Sequence, residues 1–421
     1  MDKGKITLKM KKGMIITVGT GIGADKNEAV KSLAQGIVKS IKSNNPDYIA
    51  FFVTEESKRE TVPEIEKELL DLPEREEVLI KDMNDVNGIY EEVSKKLREL
   101  KEKGYDLVVD FTSGTKAMSA GAVLAATSEN ATISYVAGKR VGGKVVRGEE
   151  QVLSYSPVKG MVDSEIKILR ELFNTYQYES CMEVIKRIEE MTSDPEITER
   201  LRRYKQLVEG YSLWDRFNHK KALEILRTFD RSIVNIERNK KILLKMEREN
   251  YESYDLLIAD ILNNARRRME EGKYDDAVAR LYRTVELIAQ YRLKMKYEID
   301  TSDVDTWHLK TLGMERKVLE KYEELRDEKG KIKLPLRKDF ELLQDLGDEV
   351  GKKFLEDKKM QDLLSRRNNS ILAHGLVPVK REDAERMFES VREYVELVVE
   401  DAEGLMIESE FPKLGVLSSK F

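Results

Sequence analysis

The sequence predicts an α/β N-terminal domain on a parallel sheet with an appended hairpin, then an all-α connecting segment and an all-α C-terminal domain. Up to residue 136, short apolar runs alternate with amphipathic stretches, the pattern of buried parallel strands covered by helices on both faces. Beyond residue 163 strand signals almost vanish, and apolar residues recur at helical spacing. A chain of 421 residues is long enough for two or three domains with cores of their own.

Residues 14–18 read as the first strand and 27–41 as the helix that follows it. Strands at 48–53, 78–80, 107–111 and 133–136 come next, separated by helices near 63–70, 86–100 and 117–127. The span 139–155 changes character, and Val141-Gly142-Gly143-Lys144-Val145 reads as a hairpin appended to the sheet edge. Helices are expected at 163–173, 181–191, 197–213, 221–229, 232–249 and 254–271. Over 275–296, Val278, Leu281, Val285 and Ile288 keep a core-facing helical spacing. Residues 298–333 are polar and irregular, and helices return at 336–345, 350–373 and 382–402. The expected boundaries are 1–158 for the α/β domain, 159–250 for the connecting helices and 251–421 for the last domain.

Composition narrows the function. Charged residues make up 36% of the chain and mean hydropathy is −0.53, as expected of a water-soluble protein. The net charge of −5 argues against a general nucleic-acid coat, so any such contact must come from local Arg and Lys groups. The single cysteine, Cys181, excludes intramolecular disulfides and zinc fingers and fits a reducing cytoplasm. The apolar run after the lysine-rich start is too short for a signal-peptide core or a membrane span.

Two loops follow predicted strands, where doubly wound sheets bind ligands. Gly19-Thr20-Gly21-Ile22-Gly23-Ala24 follows the first strand; Thr112-Ser113-Gly114-Thr115-Lys116 follows the fourth and opens a helix. Glycines let backbone amides approach an anion, and a helix N-terminus adds partial positive charge. Ser113 and Thr115 offer hydroxyls and Lys116 an ammonium, a set suited to a phosphate-bearing ligand. The first loop has the form of a dinucleotide fingerprint. Its next strand-end acid, Glu55, falls later than the roughly 20-residue offset that fingerprint requires, which argues against a nicotinamide-dependent oxidoreductase. A tight glycine turn, common in α/β sheets, accounts for that loop equally well. The second loop lacks the spacing of a nucleoside triphosphatase.

Near the other end stands Ser365-Arg366-Arg367-Asn368-Asn369-Ser370-Ile371-Leu372-Ala373-His374-Gly375, which holds one of three histidines. On a continuous helix, Arg367 and His374 would project from one side, roughly 10 Å apart, with Gly375 and Pro378 as stop signals. A guanidinium and an imidazole at the rim of a buried face suit a phosphodiester. His219 reads as a surface or capping residue and His308, beside Trp307, as packing. Arg266-Arg267-Arg268 reads as a solvated helix face, although it could hold RNA, and Cys181 as core.

The strand end Asp110-Phe111-Thr112, the loop Ser113-Gly114-Thr115-Lys116 and the small-residue helix Ala117-Met118-Ser119-Ala120-Gly121 resemble the Rossmann-like CARF domain. Paired with Arg367…His374, they resemble the CARF–HEPN ribonucleases that accompany type III CRISPR systems. The resemblance covers both ends of the chain and matches the middle helices in kind. It implies a homodimer whose paired CARF domains bind a cyclic oligoadenylate, with Thr20, Gly21, Ser113, Gly114, Thr115 and Lys116 lining the pocket. It further implies an Arg-x6-His ribonuclease site of Arg367, Asn368 and His374; counting from Arg366 gives seven intervening residues.

Such a site needs no metal or other cofactor. The ribose 2′-OH attacks the adjacent phosphorus, leaving a 2′,3′-cyclic phosphate and a 5′-OH. Histidine suits the proton transfers, and the planar guanidinium suits two non-bridging oxygens. A two-fold dimer would add a second histidine to a composite cleft in which single-stranded RNA is cut. Neither membrane nor stable DNA binding is expected. The messenger's ring size, tetra- or hexa-adenylate, stays open, as does whether either half degrades it. The alternative is a ligand-sensing regulator or toxin–antitoxin-type module whose C-terminal half binds RNA without cutting; a basic recognition helix would favour it, and the sequence offers none.

Overall fold

The computed structural model describes residues 11–21, 25–69, 71, 73–138, 140–141, 144–145, 150–229, 236–249 and 253–415. The chain forms two units, residues 1–166 with 190–192 and residues 167–189 with 193–421.

In the first unit the sheet runs β3 (Glu74–Leu79), β2 (Tyr48–Val53), β1 (Lys12–Val18), β4 (Asp106–Asp110), β5 (Thr132–Ala137) and β8 (Gln151–Tyr155). The first five are parallel and β8 is antiparallel to β5. Helices α1 (Lys26–Asn44), α2 (Glu55–Glu68), α3 (Val86–Glu102) and α4 (Lys116–Ser128) connect the strands. Period-two alternation assigns the faces: Met14, Ile16 and Val18 pack with Ile37, Ile41 and Ile65, while Ile15, Phe52 and Val109 pack with Val93, Leu97 and Met118. Burial on both faces explains why these strands read as continuous apolar runs.

Two expectations need correcting here. The hairpin β6 (Arg140–Val141) with β7 (Lys144–Val145) is a separate two-stranded sheet, and its turn, Gly142-Gly143, lies outside the described residues. β8 takes the sheet edge because it pairs along β5 from Ile133↔Tyr155 to Ala137↔Gln151. Helix α2 begins well before Pro63, because Thr54 caps it by accepting from the Ser57 amide at 3.1 Å.

The helices continue as α5 (Val158–Asn174), α6 (Tyr178–Met191), α7 (Pro195–Asp215), α8 (His219–Leu226), α9 (Ile236–Arg248), α10 (Tyr254–Glu270) and α11 (Tyr274–Tyr297). After them come α12 (Thr306–Thr311) and α13 (Arg316–Glu323), within the stretch read as irregular. The series ends with α14 (Leu336–Asp345), α15 (Glu349–Glu356), α16 (Lys358–Asn368), α17 (Arg381–Val398) and α18 (Ala402–Glu408). No helix among the described residues is long and apolar enough to cross a membrane.

In the second unit Val278, Leu281, Val285 and Ile288 are buried, as their spacing predicts. His219 is buried too, with Nε2 2.8 Å from Asp260, which also accepts from Trp214 Nε1 at 3.0 Å. Arg267 is no solvated side chain: it is buried, bonded to Asp215 at 2.8 Å and set 3.7 Å over the Phe411 ring. Both corrections have one cause. Isolated charges are costly to bury, but paired, hydrogen-bonded ones are tolerated, and the partners lie far away in sequence. Cys181 is core, and His308 rests its Nε2 2.8 Å from the Tyr297 carbonyl.

Candidate functional sites

At the carboxyl end of the sheet the order reverses between β1 and β4, and the loops after those strands meet there. The Gly19 amide donates to Ser113 Oγ at 2.7 Å, Thr17 Oγ1 donates to the Ser113 carbonyl, and Thr61 Oγ1 donates to the Gly19 carbonyl at 2.7 Å. A Cβ on Gly19 would stand 3.0 Å from the Gly114 backbone, so glycine permits this approach. Gly114 also has φ 107°, a conformation that disfavours any side chain. Residues 22–24 lie outside the described residues.

Below the loops, Asp110 is fully buried and accepts from Ser40 Oγ and from the Thr112 amide at 2.9 Å. Burial pushes its pKa up, and the hydrogen bonds from Ser40 and Thr112 oppose that rise. Thr112 Oγ1 in turn accepts from the Val136 amide at 2.9 Å. The buried carboxylate thus fixes the start of the loop that opens α4. Thr115 Oγ1 accepts from the Met118 amide at 3.2 Å and donates to the Met83 carbonyl at 2.8 Å. The hydroxyls of Ser113 and Thr115 therefore work within the fold, whereas Gly21, Gly114 and Lys116 are exposed and Thr20 is half-buried.

In the second unit the helix expected over 350–373 is interrupted twice, at Asp357 and after Asn368. Asp357 interrupts it by capping α16: its carboxylate accepts from the Met360 amide at 2.9 Å and from Tyr394 Oη at 3.0 Å. The helix then stops at Asn368, so Arg367 lies in its last turn and His374 in the loop beyond. Arg367 and His374 therefore do not share a helix face. The loop instead folds back on the helix end: the His374 amide donates to the Asn368 carbonyl at 3.1 Å and the Gly375 amide to the Ser370 carbonyl at 3.0 Å. A Cβ on Gly375 would stand 1.8 Å from the Asn369 carbonyl oxygen. The absence of a side chain at position 375 is what lets the loop close.

Arg367 is half-buried, its guanidinium 4.2 Å over the Tyr282 ring of α11 and its Nη1 donating to Asn368 Oδ1 at 3.1 Å. Burial raises the Tyr282 pKa and Arg367 lowers it less, so a neutral phenol supports the cation. Asn368 and His374 are exposed. Arg366, the neighbouring register, bonds to Asp362 at 2.9 Å and to Asp383 at 3.3 Å. Sequence reading missed Tyr282, because nothing in its spacing reveals a partner so distant along the chain. Ile371, Leu372, Leu376 and Val377 expose large apolar side chains around His374.

Residues 246–398 match the family model of the Csm6 HEPN domain, and residues 162–258 match that of the Csm6 6H domain. Among solved structures, the chain is similar to Enterococcus italicus Csm6 bound to cyclic hexa-2′-fluoro-hexa-dAMP, at 14% identity and a TM-score of 0.59. That alignment covers 94% of this chain and 99% of the other, and at such identity it speaks to the fold. A type III CRISPR defence DNA nuclease activated by cyclic oligoadenylate aligns at 14% identity over 52% of this chain and 37% of its own, with a TM-score of 0.24, too low to carry an argument. No curated protein matches the sequence.

Proposed function

We propose that this chain, which belongs to the type III CRISPR-associated CARF–HEPN ancillary family, is a metal-independent endoribonuclease of antiviral defence, switched on by a cyclic oligoadenylate. The observation that carries this reading is the helix end where Arg367 rests on Tyr282 and bonds to Asn368 while the His374 loop folds back onto it. Arg367 stabilises charge on the phosphorane, His374 moves a proton to or from the ribose 2′-OH or the 5′ leaving oxygen, and Asn368 orients Arg367. The products are a 2′,3′-cyclic phosphate and a 5′-OH.

One chain supplies a single histidine to this helix end, so the second proton transfer is assigned to a symmetry mate in a homodimer. The apolar side chains exposed around His374 give such a mate something to bury. The messenger is assigned to the sheet-end loops, through Thr20, the backbone of Gly21 and Gly114, and Lys116. Ser113 and Thr115 shape that pocket by tying its loops together. The bound cyclic hexanucleotide of the Enterococcus italicus relative supports this class of ligand. The setting is the cytoplasm.

The deciding assay incubates purified protein with labelled single-stranded RNA in excess chelator, with and without cyclic tetra- or hexa-adenylate. Activator-dependent cleavage to cyclic-phosphate ends is expected; cleavage that requires a divalent metal overturns the mechanism. Lys116→Ala should raise the half-maximal activator concentration by about 10-fold or more, the scale of a lost charge-assisted contact, while leaving the saturated rate unchanged. An unmoved activation curve removes Lys116 from the pocket. Gly375→Ala should cut the saturated rate by about 10²-fold, because it displaces the His374 loop, with little change in the melting midpoint. Wild-type turnover in that variant would show that the loop's seat does not matter.

A further inference from the structure

We propose that the cleft flanking Arg367 is a nucleobase subsite: it takes the base beside the cut phosphate and prefers bases that carry an exocyclic amino group. This rests on the ribonuclease reading above. The cleft has a volume of about 500 Å³, within the range of small-molecule pockets. Its wall carries Arg366, Arg367, Lys380 and Arg386 against two carboxylates, Glu382 and Asp383. An excess of cations suits a strand of phosphates. Val278, Leu363 and Met387 supply an apolar surface for the face of a base.

The carboxylates give the selectivity. An ionised carboxylate only accepts hydrogen bonds, so it pairs with the amino groups of adenine, cytosine or guanine and repels the carbonyl edge of uracil. Asp383 is held in place for this, since Arg366 Nη1 lies 3.3 and 3.4 Å from its two oxygens. Glu382 stands beside it in the first turn of α17.

Backbone continuity links the cleft to the reacting centre. Arg367 belongs to both, and Ile371, just before His374, donates its amide to the Val377 carbonyl on the cleft wall at 3.2 Å. That wall is anchored in turn where the Val379 amide donates to Asp275 Oδ2 at 3.1 Å. A base seated in the cleft therefore has a fixed register relative to Arg367.

Two measurements on the full chain test this. The first digests a randomised single-stranded RNA pool with activated protein and sequences the ends. Uracil should be depleted about five-fold or more at one position beside the cut, and Glu382→Gln and Asp383→Asn should each relax that depletion with other positions unchanged. The second titrates His374→Ala protein calorimetrically with AMP, CMP, GMP and UMP. The first three should bind more tightly than UMP, and the difference should shrink when either carboxylate is neutralised. Cleavage with one and the same base profile in wild type and both variants, or equal binding of all four nucleotides, overturns the subsite and leaves the ribonuclease standing. A wild type that selects among the nucleotides but cuts no RNA under any activator sinks the ribonuclease reading alone.

Discussion

Activated RNA cleavage falls by about 10²–10⁴-fold in His374→Ala, the range spanned by loss of a general acid or base. Arg367→Ala should lose about 10²–10³-fold, the scale of a missing transition-state donor. Arg367→Lys separates the roles of the guanidinium. Lysine keeps the charge but cannot offer the planar fork or lie flat on Tyr282, so little of the rate should return. Single-turnover rates at saturating activator measure all three variants, and activator binding should stay as in the wild type. Full activity in His374→Ala would end the proposal. Recovery of most of the rate in Arg367→Lys would reduce the guanidinium to a point charge.

The second large effect concerns stability. Asp339, in the first turn of α14, is 1% exposed, and neither carboxylate oxygen has a hydrogen-bond partner among the described residues. Burial, with a smaller push from Glu286, raises its pKa to about 8, and Arg283 opposes the rise. The native state therefore keeps a proton that the unfolded chain releases near pH 4. The folded protein loses stability as pH climbs between those two values; below them no penalty acts, and above them it levels off. Asp339→Asn removes the titration, so its stability relative to wild type should rise by about 3–4 kcal/mol from pH 5 to pH 8, taken as an upper bound. Denaturant melts at the two pH values measure this. Parallel behaviour of the two proteins would mean that water or a neighbouring group already satisfies Asp339.

Much of the architecture was legible because buried parallel strands announce themselves as apolar runs. β2 begins and ends at the residues expected, and the core stripe of α11 sits where its spacing put it. The Arg367–His374 stretch stood out by residue type, but its geometry did not. A carboxylate at position 357 reads as one more polar helix residue until Tyr394, far along the chain, is seen bonded to it. Arg267 likewise looks solvated until Asp215 and Phe411 close around it. Ser113 and Thr115 were read from chemistry alone, and sequence does not reveal that backbone groups elsewhere already occupy their hydroxyls. Local pattern reports periodicity; pairings between distant residues it leaves silent.

The Trp214–Asp260–His219 arrangement bears on how this molecule can be dissected. Both donors precede the stretch matched to the HEPN model and their acceptor lies inside it. A fragment excised at residue 251 would strip a wholly enclosed acid of the indole and imidazole that hydrogen-bond to it. Workers seeking an isolated nuclease module should therefore begin it upstream of Trp214 and keep the preceding helix as part of the same piece.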